Sequence, residues 1–276
     1  LNRQAERDAW CEEVAKHHAA DWRVLWRVAQ AYGYEHGQHY GYLVAGEFHR
    51  GHHRGGGQWV DAYPRDRVRA LQLYVQAMGC LGGRHEDHGR FHLEFAQTVR
   101  GRNGYGEAWR LQRLTDLTVL PDYEEGYYHR SSDRGAPVDE KGAPVLYGVP
   151  AAWATAKNDG ERWRWLLAQA EQAHPVLKTQ VLEQRGDFAR AQFGVQTLAD
   201  LGRRLGGDEA PGKEGPWSLA TLADDETIAR LASGVQRFRL PVEHSYIALY
   251  RALGEAGSDE GWEQLGQCYE DRRQLP

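Results

Sequence analysis

Apolar residues recur along much of this chain at the three- and four-residue spacing of helices with one buried face. From Asn2 to Ala19 they fall at Ala5, Ala9, Trp10 and Val14, and Asp21 then offers an N-cap oxygen to a second helix, Trp22 to Tyr32, ended by Gly33 and Gly37. A short apolar piece, Tyr40 to Phe48, runs into His49 to Gly57, whose glycines read as a loop. Pro64 at a first helical position opens a helix through Met78, with Val68, Leu71, Val75 and Met78 on one stripe. Phe91 to Val99 and Glu107 to Leu117 continue the amphipathic pattern and pair as a helical hairpin, terminated before Pro121.

Pro121 to Pro150 is the one long irregular stretch, and Pro137–Asp139 and Pro144–Leu146, flanking Glu140-Lys141-Gly142, have room for a small β-hairpin. Beyond it Asn158 and Glu161 have capping-box spacing and open Arg162 to Ala173. Pro175 leads into Val176 to Phe193, a shorter piece ends near Gly206, and Gly207 to Pro216 reads as a loop. Asp224, Asp225 and Glu226 place negative charge where the dipole of a helix over Thr227 to Phe238 favours it, and Pro241 starts another helix that reaches about Leu253. Trp262, Leu265, Gly266 and Tyr269 then reproduce the W-x2-L-G-x2-Y spacing of the first helix of a tetratricopeptide repeat. On such a helix the rings and Leu enter a partner's groove and Gly lets backbones approach, and a unit of this kind buries its apolar face only against a neighbour, so the polypeptide is expected to continue past Pro276.

The fold class expected is therefore all-α: a tetratricopeptide-like helical-repeat array, or α-solenoid, with one irregular insertion. Residues 1–120 form an N-terminal array, 121–150 the insertion, and 151–276 a C-terminal array ending in an incomplete repeat. Composition agrees, because isoleucine occurs only at Ile228 and Ile247 while helix formers abound. Ten Trp and fourteen Tyr supply the apolar bulk. A sugar-binding aromatic platform is the sharper reading of these rings, and buried interhelical packing the plainer one. Of 34 Lys and Arg residues 29 are arginine, whose planar forks suit fixed ties between helices.

A net charge of −5 gives no basic excess, which disfavours nucleic-acid partners, and no run of 18 apolar residues offers membrane insertion. The chain opens at Leu1 on a charged stretch without the apolar core of a signal peptide. Cys11, Cys80 and Cys268 are odd in number and far apart, so they suggest neither a disulfide framework nor a thiolate metal knuckle.

Candidate chemistry centres on the histidines. His36, His39, His49, His52 and His53 lie close together, with His85, His88 and His92 further on. A metal-assisted hydrolase centred on residues 36–53 is the alternative function, although H-E-x-x-H is absent and interleaved arginines would repel a divalent ion. The preferred assignment has no catalytic, cofactor-binding or metal residues and no cofactor, and it makes His49, Arg50, His52, His53 and Arg54 a candidate binding loop. That loop ends Arg54-Gly55-Gly56-Gly57, a weak anion cradle without the ending of a phosphate loop. Carboxylates cluster at Glu12-Glu13, Glu124-Glu125 and Asp224–Glu226, and solvated helix starts explain them more simply than paired acid and base catalysis.

Several stretches together, Asp21–Leu25, Tyr40–Gly51, Arg65–Leu73, Glu107–Gln112, Leu120–Tyr123, Asn158–Trp165, Gln192–Thr197 and Asp225–Leu231, resemble the helical region near the N-terminus of large bacterial alpha-2-macroglobulin-like proteins. The resemblance runs from about Asp21 to the end. It implies an extracytoplasmic setting, periplasmic or secreted, and a non-catalytic scaffold or interaction segment within a protease-trapping protein. Its partners would be proteins, the downstream macroglobulin domains or the proteases themselves. The family's Cys-Gly-Glu-Gln thioester has no counterpart, since Cys11, Cys80 and Cys268 are followed by Glu12, Leu81 and Tyr269.

Overall fold

In the computed structural model, described for residues 4–33, 38–83, 85–101, 108–126, 137–197, 218–231 and 234–274, helices predominate and small antiparallel sheets interrupt them. The sheet content exceeds the single hairpin that the sequence pattern suggested. The order is α1 (Gln4–His17), α2 (Trp22–Tyr32), β1 (Tyr40–Val44), β2 (Glu47–Arg50), β3 (Gln58–Asp61), α3 (Tyr63–Gly79), α4 (Asp87–Arg100) and β4 (Glu124–Glu125). There follow α5 (Asp159–Ala173), α6 (Lys178–Phe193), β5 (Glu226–Leu231), β6 (Gly234–Arg239), α7 (Tyr246–Glu255) and α8 (Asp259–Asp271). The chain divides into two units. The first holds Leu1–Gly101, Arg113–Ser132 and Val149–Ala173, and the second Arg102–Gln112, Asp133–Gly148 and His174–Pro276.

In the first unit the stripe of α3 packs at Val68 and Leu71 as read, whereas α1 turns Cys11 and Ala15 inward and leaves Ala9 and Trp10 of its expected stripe exposed. Asp21 accepts from the amides of Arg23 and Val24 at 3.0 and 3.2 Å, and Asn158 accepts from Glu161 N at 2.8 Å, so both caps satisfy amides that a helix start leaves bare. Glu161 reaches back to the amide of Lys157 at 2.7 Å. Trp22 and Trp26 of α2, Tyr74 of α3, and Phe91 and Phe95 of α4 form one aromatic core, with Tyr74 and Phe95 stacked at 4.7 Å. Arginine does tie helices here: Arg67 of α3 donates to the Thr98 and Val99 carbonyls at the end of α4 and to Asp159 at the start of α5.

The expected helix Glu107 to Leu117 is not formed among the described residues. Only a 3-10 turn, Ala108–Gln112, is present, and Glu107 lies outside the described residues. The backbone beyond it is claimed by the cap of α5: Arg113 O accepts from Asp159 N at 2.8 Å, and Thr115 N donates to the Asp159 carboxylate at 3.1 Å. An apolar spacing of three and four cannot compete with a buried carboxylate that binds the same segment.

The second unit buries Leu182 and Phe193 of α6, Ile247, Tyr250 and Leu253 of α7 and Leu265 of α8 in one cluster. The predicted helix over Thr227 to Phe238 is instead the β5–β6 hairpin, with register from Glu226↔Arg239 to Leu231↔Gly234. Thr227 and Ile228 are β-branched, and both are buried in β5, where the Thr227 hydroxyl donates to the Phe193 carbonyl at the end of α6. Asp224 and Asp225 before it mark a turn rather than a helix start, and Glu226 is already in the strand: Asp224 pairs with Arg251, and Asp225 with Arg239. The Pro137–Leu146 stretch makes a single bridge, Val138↔Pro144, whose turn Asp139 closes by accepting from Lys141 N and Ala143 N at 2.8 and 2.9 Å. The piece expected to end near Gly206 is described only as far as Thr197, and the loop Gly207 to Pro216 lies outside the described residues.

The tetratricopeptide-type motif is helical, in α8, but its glycine is not the one at the helix contact. Gly266 faces open space, whereas a Cβ on Gly261 would lie 2.4 Å from the Gly254 amide nitrogen of α7. Close approach of the two helices therefore runs through Gly254 and Gly261, with the Trp262 ring lying over Gly254. The two positions respond oppositely to alanine. Gly261→Ala should destabilise the second unit by about 2 kcal/mol, because the obstacle is backbone and the helices must part. Gly266→Ala should stabilise it by about 0.5–1 kcal/mol through helix propensity alone. Urea unfolding of the two variants checks the contrast, and equal shifts would refute this packing.

Candidate functional site

The histidine-rich segment folds as a sheet. Val44 and Glu47 close a two-residue hairpin at Ala45 and Gly46, whose φ values of 50° and 86° suit the twist of the flanking strands. The sheet order is β2-β1-β3-β4, with β2 and β3 both antiparallel to β1 and on opposite sides of it. Residues directly opposite each other share a face. One face therefore carries Gly41, Leu43, Phe48, Arg50, Gln58 and Val60, and the other carries Tyr40, Tyr42, Val44, Glu47, His49, Trp59 and Asp61. Val60 is fully buried and Arg50 is 5 % exposed, so the first face looks into the unit. Tyr40, Tyr42, His49 and Trp59 keep partial exposure on the outward face.

Arg50 is the correction to the proposed binding loop. It sits in strand β2, not in a loop, and its guanidinium is spent on two carboxylates. Asp66 at the start of α3 takes Nη1 and Nη2 at 2.7 and 2.8 Å. Asp8 of α1 takes Nε and Nη2 at 2.9 Å each, and the Gln38 carbonyl takes Nη1 at 2.7 Å. His39 Nδ1 donates to Asp66 at 2.8 Å, while its Nε2 is buried without a partner. Burial works to raise the Asp66 carboxyl, but the hydrogen bonds from His39 and Arg50 outweigh it and hold it below the ordinary carboxylate range. Burial likewise works to lower the Arg50 guanidinium, and Asp66 and Asp8 reverse that, so it stays charged. The arrangement is an ion tie between α1, β2 and α3. Asp66 and Asp8 escaped the sequence reading, and His39 entered it only as one of the clustered histidines, since their meeting depends on chain segments brought together only by folding; the one local signal for Asp66 is its place as an acid in the first turn of α3.

The remaining residues form a strap. Because β2 and β3 flank β1, residues 51–57 have to cross β1, and the ring contacts show that they do so on the outward face. His52 meets Tyr40 edge-on at 5.6 Å, with Nε2 3.2 Å from the hydroxyl. His53 stacks on His49 at 4.9 Å and tilts over Tyr42 at 6.3 Å. Arg54 is exposed. Gly57 has φ of +147°, and a Cβ there would meet Val44 Cγ2 at 2.9 Å, so glycine is required where the strap rejoins the sheet. Beneath it Tyr40 and Trp59 lie stacked at 6.0 Å.

His49, His52 and His53 do not converge: two stack on each other, and the third turns to Tyr40. Among the described residues no three His, Cys, Asp or Glu side chains gather where a metal ion would be held, and His36 lies outside them. His88 and His92 are helix residues of the first core, and His92 Nδ1 donates to the His88 carbonyl at 2.7 Å. The carboxylate clusters are dispersed in their own contacts. Glu12 binds Arg69 and Tyr32, Glu13 faces His17 one turn on, and Glu124 and Glu125 are the exposed strand β4. Burial pushes the Cys268 thiol up to about 11 against the pull of Arg190, and burial raises Cys11 as well, so neither is a nucleophilic thiolate at neutral pH.

Comparison of the chain with models of known families, with curated proteins and with solved structures returned no match. No helix among the described residues is long and apolar enough to cross a membrane.

Proposed function

We propose that this chain is a non-catalytic, helix-rich interaction segment of a larger alpha-2-macroglobulin-like protease-trapping protein, working outside the cytoplasm. The carrying observation is the division of labour in the first sheet. The one arginine of the His49–Arg54 motif that enters a strand is locked inward on Asp8 and Asp66. What is left outward is a surface of Tyr40, Tyr42, Trp59 and the strap imidazoles, rings with polar tips of the kind that anchor protein interfaces. The partner this reading names is a macroglobulin-type β-domain of the same polypeptide or a captured protease. Within the second unit the α7–α8 pair is read as a tetratricopeptide-like element.

A photoactivatable amino acid at position 54 of the native gene product tests the reading. Cross-links from the strap to macroglobulin-type domains or to a bound protease are expected, and Trp59→Ala should weaken them severalfold without unfolding the unit. Cross-links confined to the neighbouring strands of the chain itself would sink the proposal.

A further inference from the structure

The strap invites a second question, namely what holds it down. Among the described residues, the backbone of residues 52–56 makes no hydrogen bond; the last such attachment is Gly51 N to the Tyr40 carbonyl at 2.8 Å. The strap is fixed instead by three imidazole contacts: His53 on His49, His53 over Tyr42, and His52 on Tyr40. Such a fastening depends on charge state. Two stacked rings 4.9 Å apart attract while at least one is neutral and repel once both carry a proton. Imidazole is the side chain that gains charge as pH falls from 8 to 5.

The charged and titratable groups around the stack do little to offset that repulsion. On the strap itself Arg54 adds a fixed positive charge without an ion-pair partner among the described residues, and His52 adds a third imidazole. From β1 come the phenols of Tyr40 and Tyr42, and from β2 Glu47, two residues from His49 at the hairpin end. From β3 comes Asp61, across from Tyr40 and two residues beyond Trp59, whose Oδ1 already accepts from Tyr63 N at 2.8 Å. Glu124 of β4 lies beyond Asp61, at the far edge of the sheet.

We propose that residues 51–57 are an acid-released cover over the outward face of the first sheet, fastened at neutral pH by the His49–His53 stack and freed when both rings are protonated. Release uncovers Tyr42 and Tyr40 while the inner face stays tied by Arg50. The strap motion rests on packing alone; its use as a gate for a partner rests on the interaction reading given above.

Hydroxyl-radical footprinting of the isolated chain, read by mass spectrometry at pH 7.5 and 5.0, separates the two. Labelling of Tyr40 and Tyr42 should rise at least threefold at the lower pH, while the core residue Tyr74 stays protected. A His49→Gln/His53→Gln variant should lose that pH dependence, and a His49→Lys/His53→Lys variant, charged at both positions, should be labelled at pH 7.5 as the native chain is at pH 5.0. Equal labelling at both pH values, or an unchanged pH dependence in the double Gln variant, would overturn the proposal, as would a parallel rise at Tyr74. Position-54 cross-linking at both pH values then reports on the gate: an open strap without a cross-linked partner defeats the interaction reading and leaves the cover intact.

Discussion

Arg50→Ala should cost the first unit roughly 3–5 kcal/mol of stability, the penalty for removing one member of a buried, hydrogen-bonded ion pair. The side chains of Arg50 and Asp66 are 3 % and 4 % exposed, so water cannot replace the guanidinium, and Asp66 would be left with His39 as its remaining polar partner. Arg50→Met with Asp66→Asn should recover a large part of the loss, because it is the orphaned charge that is expensive and not the absence of the pair. The pH dependence follows from Asp66. Its carboxyl is held below its unfolded value, so its contribution is complete above about pH 4 and disappears as pH falls through the lower, folded value. Urea titrations of the single and double variants, with hydrogen exchange in α1 and α3, check both statements. A loss under about 1 kcal/mol for Arg50→Ala would mean the tie is not what joins these elements, and Arg50 would return as a candidate ligand contact.

That result would also measure what sequence could not supply. Helices α2, α3, α4, α5 and α8 were legible because their signals are local: Asp21, Asn158 and Pro64 mark starts, and stripes such as Val68 and Leu71 recur with the helical period. The first sheet was present in the same letters, with Ala45-Gly46 between Tyr40–Val44 and Glu47–Arg50. It was obscured because Gly41, Gly51 and the glycines at 55–57 outweighed the alternation. In the second unit the acids at 224–226 imitated a helix start, and the β-branched Thr227 and Ile228 carried the better signal. Of the candidate loop, His52, His53 and Arg54 do lie in a connection, whereas His49 and Arg50 belong to β2. Nothing local distinguishes them, for the inward turn of Arg50 is decided by Asp8, 42 residues earlier, and Asp66, 16 later.

Histidine 92 offers the second large effect, and it acts in the opposite protonation sense from a salt-bridged imidazole. Its ring lies between Phe91 and Trp165, at 5.3 and 6.2 Å, and burial pushes it down to about 4, with the His88 carbonyl only partly opposing the shift. In the unfolded chain the same side chain binds its proton near 6.5. Between those values the unfolded state holds the proton and the folded state does not, so stability falls as pH drops from about 6.5 to 4 and is indifferent to this group below that. At about 1.4 kcal/mol per pH unit the whole span is worth roughly 3 kcal/mol. His88, also lowered by burial, acts in the same direction. Unfolding free energies of the native chain and a His92→Leu variant at pH 7.5 and 4.5 should differ in slope by most of this amount, the variant being flatter. Identical slopes would show that His92 reaches water, and that the α4–α5 packing which buries it is not closed around the ring.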